Sequence, residues 1–287
     1  MCFLHNKTEY GENGFTFVEL LVALALSAAI GTSIMTLYAN SSKTYETQSL
    51  VSEAQQNARG GMDALVWDLR MAGYDPTREA DAGFLQAGNN IIQFTMDLTD
   101  DGGTGEPDGD LTDTSGNADP NENVTYGWYT SSAKDVYGND IRRLGRKTGV
   151  SYEPVAEYIE ANGLAFAYAF DSNDDGQLDT DAGGRIHWAQ IGANDNWWEL
   201  DANGDDQISV DDDTDGNGVL NTIDTGIVAD LNDIRAVKIW LLMTSPRHDR
   251  GEEKQSAYLV GTNIVTNEDN YSRRLLTTSV TCRNMGL

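Results

Sequence analysis

The first pattern along the chain is an unbroken apolar run. Residues 15–39 read FTFVELLVALALSAAIGTSIMTLYA, 25 residues with one charge, Glu19, and no proline. At a rise of ~1.5 Å per residue, such a helix spans the ~30 Å hydrocarbon core of a bilayer with some tilt. The run is too long for a secretory signal, and no small-residue cleavage site follows it. Past residue 39 the sequence turns polar without breaking. Tyr45, Leu50, Val51, Ala54, Ala58, Met62, Leu65, Val66 and Leu69 recur at steps of three and four, one core-facing stripe of an amphipathic helix. The spacing predicts a single helix over 15–72, apolar all round at first and one-faced afterwards. Gly60-Gly61 is expected to kink it, and Gly73 with Asp75-Pro76 to end it.

The pattern then changes period. Segments 90–98, 123–130, 141–147, 163–170, 234–243 and 275–281 are short and rich in β-branched and aromatic residues. Segment 100–123 is Gly/Asp/Thr/Pro-rich without periodicity and reads as a long loop. One long helix followed by such strands predicts an α+β chain, with an antiparallel sheet laid on the helix. The expected organisation is a leader at 1–14, a helix at 15–72 that crosses the membrane at 15–39, and a β-rich head at 73–287. An acidic insert at 171–224 interrupts the head.

Charge sharpens this picture. A formal net charge of −27 argues against nucleic acid as a partner, because neutralising phosphates needs clustered Lys and Arg. Segment 171–224 holds 15 acidic residues against one base, Arg185. A solvated acidic loop is one reading, but Trp188, Trp197, Trp198 and Ile208 interrupt the tract. Three near-repeats give it another. Asp171, Asn173, Asp175, Gln177, Asp179 and Asp181 form the first. Asp201, Asn203, Asp205, Gln207, Ser209 and Asp212 form the second. Asp213, Asp215, Asn217, Val219, Asn221 and Asp224 form the third. Each has oxygen side chains at loop positions 1, 3, 5 and 9 and an apolar residue at 8, the spacing with which EF-hand-type loops wrap Ca²⁺, using the carbonyl at position 7. Hard oxygen donors without thiols favour Ca²⁺ over zinc or copper. The pattern is incomplete: Ala182 occupies position 12 of the first repeat, so Asp181 substitutes, and Asp206 stands where a glycine makes the sharp turn of the second. Strands rather than helices flank the repeats. The tryptophans are expected to pack over these loops, with stacking on a sugar or surface ligand as the alternative.

Glu19 is out of place in an apolar helix, where an ionisable group costs several kcal/mol and marks function. If the chain is cut between Gly14 and Phe15, a cationic α-amino group appears four residues before Glu19. Pairing the two, best between neighbouring subunits, favours assembled over isolated chains. The run Gly14-Phe15-Thr16-Phe17-Val18-Glu19 with its apolar tail resembles the processing site of type IV prepilins and type II secretion pseudopilins. That resemblance implies cleavage after Gly14 by an inner-membrane prepilin peptidase and N-methylation of Phe15, with Glu19 as the family's glutamate at mature position five. Removal of the leader takes Cys2 with it and leaves Cys282 alone, so no intrachain disulfide is expected.

Residues 67–76, WDLRMAGYDP, resemble the helix end of PilW-type minor pilins, and 273–280, RRLLTTSV, resemble that family's closing strand. The resemblance covers about 14–95 and 233–287. It implies a single-pass inner-membrane protein with a periplasmic head, which joins other minor and major pilins in a pilus, primes assembly and sits near the tip. A GspJ-like pseudopilin of type II secretion is one alternative, and a calcium-dependent pilus-borne adhesin with a surface or glycan ligand is another. No catalytic role is expected: the chain has no G-x-S-x-G, P-loop or H-E-x-x-H motif, and His187 and His248 have no nucleophile nearby in sequence.

Overall fold

The computed structural model describes residues 14–100, 105–113, 115–181, 183–192, 196–214, 216, 218–220, 229–249 and 254–286. Helix α1, Phe17–Met71, runs unbroken through Gly60 and Gly61. Gly61 has a different role: a Cβ there would lie 2.8 Å from Ala156 Cβ and 3.2 Å from Leu144, so its missing side chain lets the helix approach the sheet. Gly73, at φ +74°, ends the helix, and its N–H donates to Thr95 O at 3.0 Å.

The chain divides into two compact units, residues 1–46 and 47–287. In the first, the helix is apolar and long enough to cross a membrane, and its large side chains, Phe17 through Tyr38, are exposed. Tyr45, in the first unit, is also exposed, whereas in the second Leu50, Ala54, Ala58, Met62, Leu65 and Leu69 are buried, as their spacing predicted.

One sheet was expected; the described residues form two five-stranded antiparallel sheets and a hairpin. The first sheet is ordered β1 (Phe84–Ala87), β2 (Ile91–Thr95), β3 (Asn123–Lys134), β4 (Asp140–Lys147), β5 (Glu153–Glu157). The second runs β12 (Tyr271–Thr281), β9 (Ile234–His248), β6 (Ile159–Phe170), β7 (Ala189–Ile191), β8 (Trp197–Glu199). Strands β10 (Lys254–Val260) and β11 (Asn263–Asp269) form the hairpin. Pro154 sits in β5, an edge strand, where a missing N–H is tolerated.

The helix stripe and both sheets enclose one core, with Leu65 and Leu69 joined by Phe94, Tyr126 and Leu144 of the first sheet and Phe166, Tyr168 and Ile239 of the second. Each fully buried large side chain of this kind contributes roughly 1.5–3 kcal/mol. The second sheet is also covered on its other face. There Ala165 and Ala167 of β6 and Trp240 and Leu242 of β9 pack with Val260 of the hairpin and Leu200 of the insert. Residues 164–170 are therefore buried on both sides, which explains why LAFAYAF has no polar alternation. The small alanines of that run face the insert.

Candidate functional site

The insert closes over the outer face of β6 and β9. Trp188 and Ile208 pack at the edge of the second cluster, and Trp197 lies edge-on to Phe170 and Tyr168 at 4.8 and 5.5 Å. Lys238 Nζ lies 5.4 Å from the Trp188 ring and 5.6 Å from the Trp240 ring. Burial holds that ammonium below its usual pKa, against the opposing charge of Asp206. Trp197 is therefore buried in the inner core and Trp188 part-buried on the outer face, so both pack on the second sheet where packing over the loops was expected.

Two of the three repeats are described closely enough to compare atom by atom. In the first, the Asp171 carboxylate accepts from the N–H groups of Asp175 (3.0 Å) and Gly176 (2.9 Å). Asn173 Oδ1 accepts from Asp175 N–H at 3.0 Å, and Asp175 Oδ1 from Gln177 N–H at 2.8 Å. In the second, Asp201 accepts from Asp205 (3.1 Å) and Asp206 (3.0 Å), Asn203 from Asp205 (2.9 Å), and Asp205 from Gln207 (2.9 Å). Position for position, the loops share these four bonds, and Asp201 accepts one more, from Gly204 N–H at 2.8 Å. The backbone agrees: residues 4 and 6 have positive φ in both, Asp174 (+53°) and Gly176 (+80°), then Gly204 (+75°) and Asp206 (+68°). Asp206 therefore makes the turn that glycine makes elsewhere. The third repeat follows suit where it is described. Gly216 (+71°) and Gly218 (+83°) hold positions 4 and 6, and Gly218 N–H donates to Asp213 at 2.9 Å.

The loops close differently. Asp179 accepts from Ser172 N–H at 3.1 Å and its own N–H donates to Phe170 O, tying position 9 back to β6. Asp181 turns away into a short hairpin, where the Arg185 guanidinium pairs with it and holds its carboxyl far below the usual range. Asp212, fully buried, accepts from Asn203 N–H (3.2 Å) and Ser209 N–H (2.8 Å) and so closes the second loop. Ser209 Oγ caps the turn from Val210 to Asp212. In the third, Leu220 at position 8 is buried and donates to Thr262 O, and Val219 bridges Asn263. Asp215, Asn217, Asn221 and Asp224 lie outside the described residues. The residue types suit Ca²⁺, with carboxylates at positions 1 and 5 and a carboxamide at position 3 of the first two loops, and the position-1 carboxylate of the first loop is buried.

At the other end of the chain Gly14 and Phe15 are exposed ahead of the helix. Thr16 and Glu19 cap it reciprocally: Thr16 N–H donates to Glu19 Oε2 at 2.8 Å, and Glu19 N–H to Thr16 Oγ1 at 3.2 Å. The T-x-x-E spacing before the apolar run carried that signal and went unread. His187 lies 3.7 Å from Glu199, and His248 stacks at 4.3 Å on Tyr137. One acidic group was also missed: Asp108, Asp110 and Asp119, in the segment read as a plain loop, bring carboxylate oxygens within 4.8 Å of one another. The D-x-D at 108–110 was its only sequence trace.

A comparison with curated protein sequences returns no match. Among solved structures the chain is similar to a type IV-like pilin from Thermus thermophilus, 12% identical over 80% of this chain and 97% of that one, at a TM-score of 0.34. The model of the PilW family, type IV pilus-assembly protein W, matches residues 130–284, more than half of the chain. With its long apolar helix packed on antiparallel sheets, the chain belongs to the PilW family of type IV pilus-assembly proteins.

Proposed function

We propose that this chain is a minor pilin that primes pilus assembly and sits near the tip, with a head stiffened by Ca²⁺ in the insert. It is anchored in the inner membrane by residues 15–39 after cleavage between Gly14 and Phe15, and joins other pilins through that helix. The observation that carries the calcium part is the matching backbone geometry of the repeats, with position-1 carboxylates accepting from the same amides and positive φ at positions 4 and 6. Ca²⁺ takes six to eight oxygen ligands from loops of this build. Because Leu200 and Ile208 cover β6 and β9, an insert loosened by charge repulsion uncovers part of the head. A large covered head suits a tip better than a repeated shaft.

Deleting the insert tests little, since it bares that apolar face. The better test is Asp171→Asn with Asp201→Asn and Asp213→Asn in the full chain. The expected result is loss of Ca²⁺ binding heat at millimolar Ca²⁺ together with reduced piliation. Normal pili with lost surface attachment supports the adhesin instead, and unchanged binding heat removes calcium from the insert.

A further inference from the structure

The loop joining β2 to β3 carries a second acidic centre unlike the insert. Asp108, Asp110 and Asp119 bring carboxylate oxygens within 4.8 Å of one another. Asp97, which follows β2, is fully buried and accepts from Gly109 N–H at 3.2 Å, which sets its carboxyl beside the Asp108-Gly109-Asp110 turn. Its other oxygen, Oδ1, is buried and meets no hydrogen-bond donor. Glu122, also fully buried, accepts through Oε1 from the N–H groups of Leu98 (2.8 Å) and Thr99 (2.7 Å), while Oε2 is buried with no donor. Among the described residues no Lys or Arg forms an ion pair with Asp97, Asp108, Asp110 or Glu122.

Buried carboxylates without donors or counter-charges are costly, and chains that keep them pair them or coordinate a metal with them. The backbone is committed to this arrangement. Met96 N–H donates to Glu122 O and Asp97 N–H to Tyr74 O, so both ends of the loop and the helix end hold the carboxyls in place. Gly109, at φ +96°, passes so close to Thr77 that a Cβ would lie 3.0 Å from its hydroxyl oxygen. We infer that Asp97, Asp108, Asp110, Asp119 and Glu122 form a binding site for a hard divalent cation, of the size and flexibility that suit Ca²⁺, independent of the 171–224 insert. Asp108, Asp110 and Asp119 supply its clustered oxygens, the first two exposed at its mouth, and Asp97 and Glu122, each with one buried oxygen that meets no donor, stand on its inner side.

The test uses the full chain in detergent micelles, stripped with EDTA and dialysed against about 1 mM Ca²⁺, the range of extracellular modules. Asp108→Asn with Asp110→Asn, both at exposed positions, is expected to lower bound Ca²⁺ by one ion per chain. The drop is expected equally when the insert carries Asp171→Asn, Asp201→Asn and Asp213→Asn. An unchanged stoichiometry overturns the inference, whatever the insert does. Conversely, insert substitutions that remove no ion sink the calcium reading of the insert and leave this one standing. If the double substitution disturbs folding, Asp97→Asn reads the same site through the Ca²⁺-induced rise in Tm. A smaller rise is expected, and a full one overturns the inference.

Discussion

The two acidic loops solve the same electrostatic problem in opposite ways. In the insert, carboxylates are spent on the backbone: Asp171, Asp201 and Asp212 each accept from two or more N–H groups and hold the turns in shape. Between β2 and β3, Glu122 also accepts from two N–H groups and Asp97 from one, but each keeps a second, buried oxygen without a donor. A carboxylate that accepts amide bonds stabilises its loop with or without metal. One that faces other carboxylates costs free energy until a proton or a cation arrives.

The largest effect that tests this contrast comes from Asp212. Asp212→Ala leaves the N–H groups of Asn203 and Ser209 without the buried carboxylate that accepts from both. Bonds to charged groups contribute about 1.5–3 kcal/mol each, so a loss of about 3 kcal/mol is expected from urea unfolding in EDTA. A loss of only a few tenths removes the claim that the insert is shaped before metal binds.

Asp97→Asn is expected to act with the opposite sign. In EDTA at neutral pH it removes a buried charge and raises stability by about 1 kcal/mol. The pH dependence follows from the raised pKa. A group whose folded pKa lies above its unfolded value contributes stability that is present at low pH and is lost as pH rises through the folded pKa. The wild-type chain therefore catches up with the variant as pH falls below the raised pKa of Asp97, and the difference in Tm between them closes. Asp181 runs the other way. Its depressed pKa, held by hydrogen bonds from Arg185, means its contribution is lost as pH falls through the carboxylate range. A Tm difference between wild type and Asp97→Asn that stays constant across pH contradicts the buried-charge account.

How far each loop was legible follows from how its ligands are spaced. The insert's donors are two residues apart within twelve, so a single stretch of sequence displays them, and the apolar residue at position 8 (Ile208, Leu220) points to the anchor. The other centre draws on Asp97 at the end of β2, a turn at Asp108–Asp110, and Asp119 and Glu122 ahead of β3. Only strand pairing brings those together. The helix stripe was readable because its period is local, and so was the apolar run of β6. Its burial on two faces was not, because that depends on Leu200 and Val260 arriving from elsewhere. Strands β10 and β11 escaped notice because polar residues such as Gln255, Ser256, Thr266 and Asn267 lie along them and dilute the apolar signal. Gly61 looked like a helix breaker in sequence; only its approach to Ala156 gives it a packing role.

The smallest effect tests whether the insert's shape is its own. Asp174 ties the first loop to β9: the Arg235 guanidinium lies 3.1 Å from its Oδ1. Asp174 is 82% exposed, and Arg235 also donates to the carbonyl of Asn232, so the arginine keeps a partner when the aspartate is lost. Exposed pairs of this kind contribute at most about 1 kcal/mol, and Asp174→Ala is expected to cost less than about 0.5 kcal/mol by urea unfolding. The substitution also places a Cβ-bearing apolar residue at φ +53°, a backbone region Asp tolerates better than Ala, which adds a few tenths of its own. Comparing Asp174→Ala with Asp174→Asn separates the two, because Asn keeps the tolerance for positive φ and removes the charge. If Asp174→Asn alone costs more than about 1 kcal/mol, the first loop is held by its tie to β9 rather than by Asp171 and its amides. The insert would then share with the β2–β3 loop a shape imposed from outside.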